Sequence, residues 1–242
     1  MTPGSRNHRK WLAGASEGTF VIHFWPVRPL TSTSSRLFKL FNQLLRVLHC
    51  WLDSASAMKY TKNLDVGALH IANNFNIYGF SSESLSLLQC VKELFENSID
   101  ACKELLEVES SPSVSVVLTM TEEDPNLVLI HVTDDGVGMK NSQKLLRCFE
   151  STKVAKGDYS TGRFGVGLST CLIYSLIHSN YPMRIITKTQ SDELCSVTDF
   201  ILDNSGNPIA TNSSDQTVSM ISGTRISIYM PIDADTNLLQ GK

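Results

Sequence analysis

Three helix-like segments set among five strand-like ones predict an α+β fold: a mixed, mostly antiparallel sheet with its helices on one face. SSESLSLLQCVKELFENSIDACKELLEV (81–108) reads as one long amphipathic helix, with Ser81 or Ser82 as its N-cap. Leu88, Val91, Phe95, Ser98, Ile99, Cys102 and Leu106 fall on one stripe of it, the face expected to be buried. SVSVVLTMT (113–121) and NLVLIHVTD (126–134) are rich in β-branched residues and joined by the turn-like EEDPN, which makes them a hairpin. A short helix is expected near 141–150. The polar, glycine-containing STKVAKGDYSTGRFG (151–165) then leads into a second buried helix, GVGLSTCLIYSLIHS (165–179). MRIITKT, LCSVTDFIL and TRISIYMP supply three further strands, the first two paired and the second followed by a DNSGNP turn.

Composition supports a folded chain of one sizeable domain plus an appendage. Of 242 residues, 42% are hydrophobic and 19% charged, which is globular and not disordered usage. No apolar run approaches the roughly 20 residues of a membrane-spanning helix, and the net charge of −3 excludes a generally basic nucleic-acid coat. Six cysteines are scattered without a CxxC pair or a histidine at metal spacing, so reduced thiols without structural zinc are expected. Cys90 and Cys102 share the long helix about 18 Å apart along its axis and cannot bridge each other.

The charge is unevenly distributed. Residues 1–57 hold seven basic side chains against Glu17 and Asp53, a net +5, which leaves −8 on residues 58–242. All three tryptophans lie in that first segment, as does the amphipathic LFKLFNQLLRVLHCWL (37–52). Residues 1–57 are therefore read as a basic N-terminal extension, poorly structured or targeting, ahead of a domain spanning 58–242. An arginine- and serine-rich start of this kind also fits an organelle transit peptide.

Four segments carry chemistry. On the long helix, Glu93, Asn97 and Asp100 stand at i, i+4 and i+7, one polar stripe at the edge of the core. A glutamate there can polarise water as a general base, and an asparagine one turn on offers Mg²⁺ a neutral oxygen. VTDDGVGM (132–139) stands where a strand ends, and its glycines let a flat ligand approach the backbone. Asp134 in it can accept a hydrogen bond from an exocyclic amine. TGRFGVGLS (161–169) places glycines 162, 165 and 167 ahead of a helix whose positive end can cradle phosphate, although no GK[ST] follows and no dinucleotide fingerprint is formed. SGTRISI (222–228) adds a glycine-threonine pair entering a strand.

Taken in order, ELFENSIDA, DDGVGM, GRFGVG and GT are similar to the N, G1, G2 and G3 boxes of the GHKL ATPase superfamily, which holds gyrase B, Hsp90, sensor histidine kinases and MutL. Within it, GFSSESLSLLQCVKELFENSIDA (79–101) and GVGLSTCLIYS (165–175) most resemble topoisomerase VI B and its meiotic B-like relatives. The resemblance implies a Bergerat-type ATP-binding sandwich with ATP and Mg²⁺ as cofactors. It implies that Glu93 orients the attacking water, that Asn97 ligates Mg²⁺ and that Asp100 lines the pocket wall. Asp134 would hold the adenine amine, with Gly136, Gly138 and Met139 beside the base and Thr224 near it through water. Lys153, Gly162, Gly165, Val166 and Gly167 would close over the phosphates.

Partners follow from the same resemblance: a topoisomerase VI A-like cleavage subunit, a second copy of the chain through the N-terminal strap, and DNA only indirectly, with no membrane. In the meiotic relatives that complex makes the double-strand breaks that start recombination, which implies a nuclear location. Two departures stand out. Asp135 replaces the usual asparagine of the second box, adding negative charge near a polyanion. The transducer domain that follows in the family, and supplies a lysine to the terminal phosphate, is expected to be absent or truncated. The rival readings are another ATPase of the superfamily, such as a MutL-like protein, and a non-catalytic interaction scaffold with a degenerate pocket.

Overall fold

The computed structural model describes residues 12–16, 19–24, 66–105, 112–143, 166–204, 207–215 and 217–232. These form one eight-stranded sheet: β1 (Leu12–Ser16), β2 (Thr19–Phe24), β3 (Val114–Met120), β4 (Leu127–Asp134), β5 (Met183–Lys188), β6 (Cys195–Leu202), β7 (Pro208–Asp215) and β8 (Gly223–Pro231). Their spatial order is β1-β2-β3-β4-β8-β5-β6-β7. Each neighbouring pair is antiparallel, so the expected mostly antiparallel sheet is antiparallel throughout its described part. The last described strand in sequence, β8, lies between β4 and β5 and joins the two halves.

One face of the sheet is apolar because the strands alternate. Val114, Val116 and Leu118 of β3, Val128, Ile130 and Val132 of β4, and Ile226, Ile228 and Met230 of β8 are all buried. Two helices cover that face. The first is α2 (Glu83–Lys103), whose N-cap Ser82 accepts from the Leu85 N–H, and the second is α3 (Gly167–Ser179). In α2, Leu87, Leu88, Cys90, Val91, Leu94, Ser98 and Cys102 are buried, close to the predicted stripe, with Phe95 and Ile99 packed at its edge. α3 is buried along almost its whole length, as a helix held between a sheet and other helices must be. No described helix is long and apolar enough to cross a membrane.

Before α2 come α1 (Val66–Asn73) and a 3₁₀ turn (Phe75–Tyr78). Ala68 and Ile71 of α1 pack on Ile173 and Ile177 of α3. Phe75 and Phe80 close on Tyr174, with ring centroids 4.9 and 5.1 Å away, and His178 stacks on the same tyrosine at 4.1 Å. Burial holds the His178 imidazole down at a pKa of about 4, so it sits in this aromatic seat uncharged at neutral pH.

Four elements differ from the sequence expectation: β1, β2, β7 and α1. Leu12–Ser16 and Thr19–Phe24 lie inside the segment expected to be poorly structured, yet they form a hairpin that extends the sheet from β3. TFVIHF has the period-2 alternation that drives this: Phe20 and Ile22 face the helices, and Ile22 is 6% exposed. β7 has no counterpart in the expected strands, because PIATNSSD is polar and pairs on one side only, with β6. α1 has none either, since eight residues are too few for a periodic signal to stand out. The amphipathic stretch 37–52 and most of the helix expected at 141–150 fall outside the described residues.

Candidate functional site

The described site residues gather where β4 ends and β8 begins, and along the C-terminal half of α2 and the N-terminus of α3. Register places them: Asp134 of β4 pairs with Thr224 of β8, and Thr224 pairs with Thr187 of β5. Asp134 is 4% exposed and fully occupied on one oxygen. Its Oδ1 accepts the N–H groups of Gly136 (3.0 Å) and Thr224 (3.2 Å), and its Oδ2 accepts the Ser98 hydroxyl from α2 at 2.8 Å. A carboxylate oxygen has two lone pairs, so Oδ2 keeps one for an incoming donor.

Burial pushes the Asp134 carboxyl up to about 6, against the opposing pull of Ser98, Gly136 and Thr224, with the neighbouring charge of Asp135 adding to the rise. A group that holds its proton more tightly when folded stabilises the fold fully below its unfolded pKa near 4, and that contribution is lost as pH rises through about 6. Compared with Asp134→Asn, the parent should therefore lose up to about 3 kcal/mol of stability between pH ~4 and ~7. Urea unfolding of both proteins across that range measures it, and parallel curves would rule out the buried charge.

The loop after Asp134 is shaped by its glycines. Gly138 has φ +74°, and a Cβ there would stand 2.2 Å from the carbonyl oxygen of Lys188. A Cβ on Gly136 would stand 2.7 Å from that of Ala101, where the Val137 N–H donates to the Ala101 carbonyl. The loop thus threads between α2 and β5 with no room for side chains. Met139 is tied down by its N–H to Thr187 Oγ1 at 2.8 Å. Thr187, 1% exposed, in turn donates to the Gly223 carbonyl at 3.0 Å and lies 3.2 Å from Thr224 Oγ1. One buried hydroxyl therefore joins the second and fourth boxes.

Asp135, the departure expected to bring charge to the site, does raise the Asp134 carboxyl, while its own carboxylate is bound outside the Asp134–Thr224 cluster. Its carboxylate accepts the Ser113 hydroxyl at 2.5 Å and its N–H donates to the Ser113 carbonyl, on the β3 side and away from Thr224 and Thr187.

Along α2, Glu93, Asn97 and Asp100 are half-buried on one face, as the spacing predicts. Asp100 pairs with Lys103 at 2.9 Å. Glu93 Oε1 accepts from Gln89 Nε2 at 2.8 Å and lies 3.4 Å from Lys92 Nζ. Burial alone would lower the Lys92 ammonium, but attraction to Glu93 and Glu96 outweighs it and its pKa is raised. Glu93 Oε2 faces the start of α3, so closely that a Cβ on Gly167 would stand 1.9 Å from it. The N-cap of α3, Val166, makes no side-chain cap hydrogen bond among the described residues, and the positive end of that helix faces Glu93. Lys153, Gly162 and Gly165 lie outside the described residues.

A buried carboxylate held by three donors, a glycine loop packed between α2 and β5, and a carboxylate facing the start of α3 are the described features of the site. Residues 82–234 match the sequence model of the histidine kinase-, DNA gyrase B-, and HSP90-like ATPases. The chain belongs to this family.

Among curated relatives of this ATPase, the B subunit of type 2 DNA topoisomerase 6 from Halobacterium salinarum is 29% identical over 137 residues, 55% of this chain and 16% of that protein. Its namesake in Saccharolobus islandicus is 26% identical over 166 residues, 66% of this chain and 30% of the relative. The chain thus spans less than a third of the length of either relative.

The donor set of this GHKL ATPase fits its nucleotide. Magnesium takes few protein ligands and keeps phosphate and water oxygens, so the neutral side-chain oxygen of a half-buried asparagine such as Asn97 is the type of donor it accepts. Ser98 and Thr187 are the site residues that the box patterns do not single out. Ser98 carries a signal, a hydroxyl in an otherwise apolar stripe, whereas Thr187 in MRIITKT reads as an ordinary strand residue.

Proposed function

We propose that this chain is the ATP-binding unit of a topoisomerase VI B-like protein, binding Mg²⁺-ATP and using its hydrolysis to control a partner that cleaves DNA. The observation that carries this reading is Asp134: a 4%-exposed carboxylate held by three donors with one acceptor position left over. Asp134 Oδ2 accepts the adenine amine, and the Gly136–Met139 loop admits the flat base against its backbone. Thr224 supports the base edge through water. Asn97 would hold Mg²⁺, which would supply charge neutralisation on the phosphates, and the α3 N-terminus with Val166 and Gly167 would receive them; Lys153, Gly162 and Gly165 are further phosphate contacts implied by the sequence resemblance alone. Glu93 Oε2 takes the proton of the attacking water while Oε1 stays anchored.

The partner reading rests on the named relatives, each the B subunit of a type 2 DNA topoisomerase. A topoisomerase VI A-like partner carries the cutting residue, and the −8 charge of residues 58–242 agrees with indirect contact to DNA. Resemblance of the four boxes to meiotic B-like proteins favours a role in double-strand break formation at the start of meiotic recombination, in the nucleus. Homodimerisation uses the segment before α2, where Ile77 (76% exposed) and Leu69 (38%) present apolar side chains.

Full-length chain should bind a fluorescent ATP analogue saturably only with Mg²⁺ present. Asn97→Ala should abolish this Mg²⁺-dependent binding, and Glu93→Ala should retain binding while turnover falls by roughly 10²–10⁴-fold. A folded protein that ignores millimolar nucleotide would leave the scaffold reading in its place.

A further inference from the structure

The helix-covered face of the sheet turns polar near the site. On β5 its inward positions run Met183, Ile185, Thr187, and across the ladder Phe200 and Thr198 of β6 pair with Met183 and Ile185. Thr187 and Thr198 are 1% and 0% exposed. A hydroxyl buried among apolar side chains is costly unless it is hydrogen-bonded. Both of these are bonded, and to the same short stretch of chain.

Thr187 Oγ1 accepts the Met139 N–H at 2.8 Å and donates to the Gly223 carbonyl at 3.0 Å. That donation uses its one proton, so at the 3.2 Å contact with Thr224 Oγ1 the donor is Thr224. One hydroxyl thus holds both Met139 and the Gly223–Thr224 turn. Thr198 Oγ1 donates to Asn212 Oδ1 of β7 at 2.9 Å, so its 2.5 Å contact with Ser142 is donated by the Ser142 hydroxyl. The chain leaving the second box is therefore fastened at Met139 by β5 and at Ser142 by β6.

From this double fastening we infer that Thr187 and Thr198 are positioning residues for the base slot, setting where Met139 stands relative to Thr224. The inference rests on the ATP-binding reading above. Neither hydroxyl bonds to α2 or α3 among the described residues, where the phosphates and Mg²⁺ are expected. Their loss falls on recognition of the base and leaves the phosphate side as it was.

The test uses the full chain, thermal melts to confirm folding, and two probes with Mg²⁺: ATP, and inorganic tripolyphosphate, which has phosphates and no base. Thr187→Val removes the hydroxyl at nearly constant volume and should weaken ATP about 10-fold, with tripolyphosphate changed less than about 2-fold. Thr198→Val should weaken ATP about 3-fold or more by the same route. Thr187→Ser keeps the hydroxyl and should bind ATP within about 2-fold of the parent. Unchanged ATP affinity in Thr187→Val, an equal loss of both probes, or a Thr187→Ser as weak as Thr187→Val overturns the positioning role. If Thr187→Val does not fold, Thr198→Val decides on the same two probes. If the parent binds ATP but not tripolyphosphate, Thr187→Val against Thr187→Ser decides alone. A parent that ignores ATP sinks the ATP-binding reading and this inference together, whereas a parent that binds ATP with variants that fail these comparisons sinks this inference alone.

Discussion

Asp134→Asn is expected to weaken ATP binding by roughly 10–100-fold and, in the same protein, to move base preference toward guanine. A charge-assisted hydrogen bond of this kind is worth about 1.5–3 kcal/mol, which sets the range. The direction of the specificity change follows from the partners of Asp134. Two N–H groups, from Gly136 and Thr224, meet Oδ1, so the carbonyl oxygen of an asparagine must take that side. Its NH₂ then points where Oδ2 was, toward Ser98 and the ligand. A donor now meets the adenine amine, whereas guanine offers a carbonyl oxygen at the equivalent position. Competition binding with ATP and GTP should show their affinity ratio falling by about 10-fold or more. A variant that loses both nucleotides equally would place the base elsewhere. Asp134→Ala is the harsher change, since it also strands the Ser98 hydroxyl and both N–H groups.

The second large effect separates three glycines that look alike in the sequence. Gly167→Ala puts a methyl 1.9 Å from Glu93 Oε2, but that atom ends a rotatable chain and can swing aside. Stability should fall by less than about 1 kcal/mol, while turnover falls by roughly 10²-fold because the displaced carboxylate no longer faces the phosphates. Gly138→Ala and Gly223→Ala meet backbone instead, at 2.2 Å from the Lys188 carbonyl oxygen and 2.0 Å from that of Asp134, and both carry positive φ (+74° and +125°). Neither obstacle can move alone, so each should cost about 2–4 kcal/mol in urea unfolding. Equal stability losses in all three would remove the distinction between a displaced side chain and a strained backbone.

What the sequence disclosed depended on how periodic or how punctuated each segment is. α2, α3, the β3–β4 hairpin and β8 have strong apolar patterns, and the glycine-bearing boxes mark their own loops. β7 and α1 lack such patterns, one for its polarity and the other for its brevity. The β1–β2 hairpin is obscured by its surroundings, since TFVIHF sits in a basic, tryptophan-bearing segment that reads as an appendage. In the site, helical spacing was enough to put Glu93, Asn97 and Asp100 on one half-buried face of α2. Thr187 and Thr198 matter because of which strand or loop lies beside them, and that neighbourhood is set by pairing across the chain. Asp135 shows the converse: its charge is visible in sequence, but the contact to Ser113 that directs it away from Thr224 is not.

The position of β8 has a consequence for synthesis on the ribosome. Ninety residues separate Asp134 from its Thr224 partner, and without the Gly223–Pro231 strand the sheet is two disconnected blocks, β1–β4 and β5–β7. Nascent chains must keep an apolar inner edge on each block waiting until this late strand emerges, a long-range closure that is intrinsically slow. Nucleotide binding therefore becomes available at the same moment as a complete core, and ATP would act during biogenesis as a ligand that rewards only finished molecules.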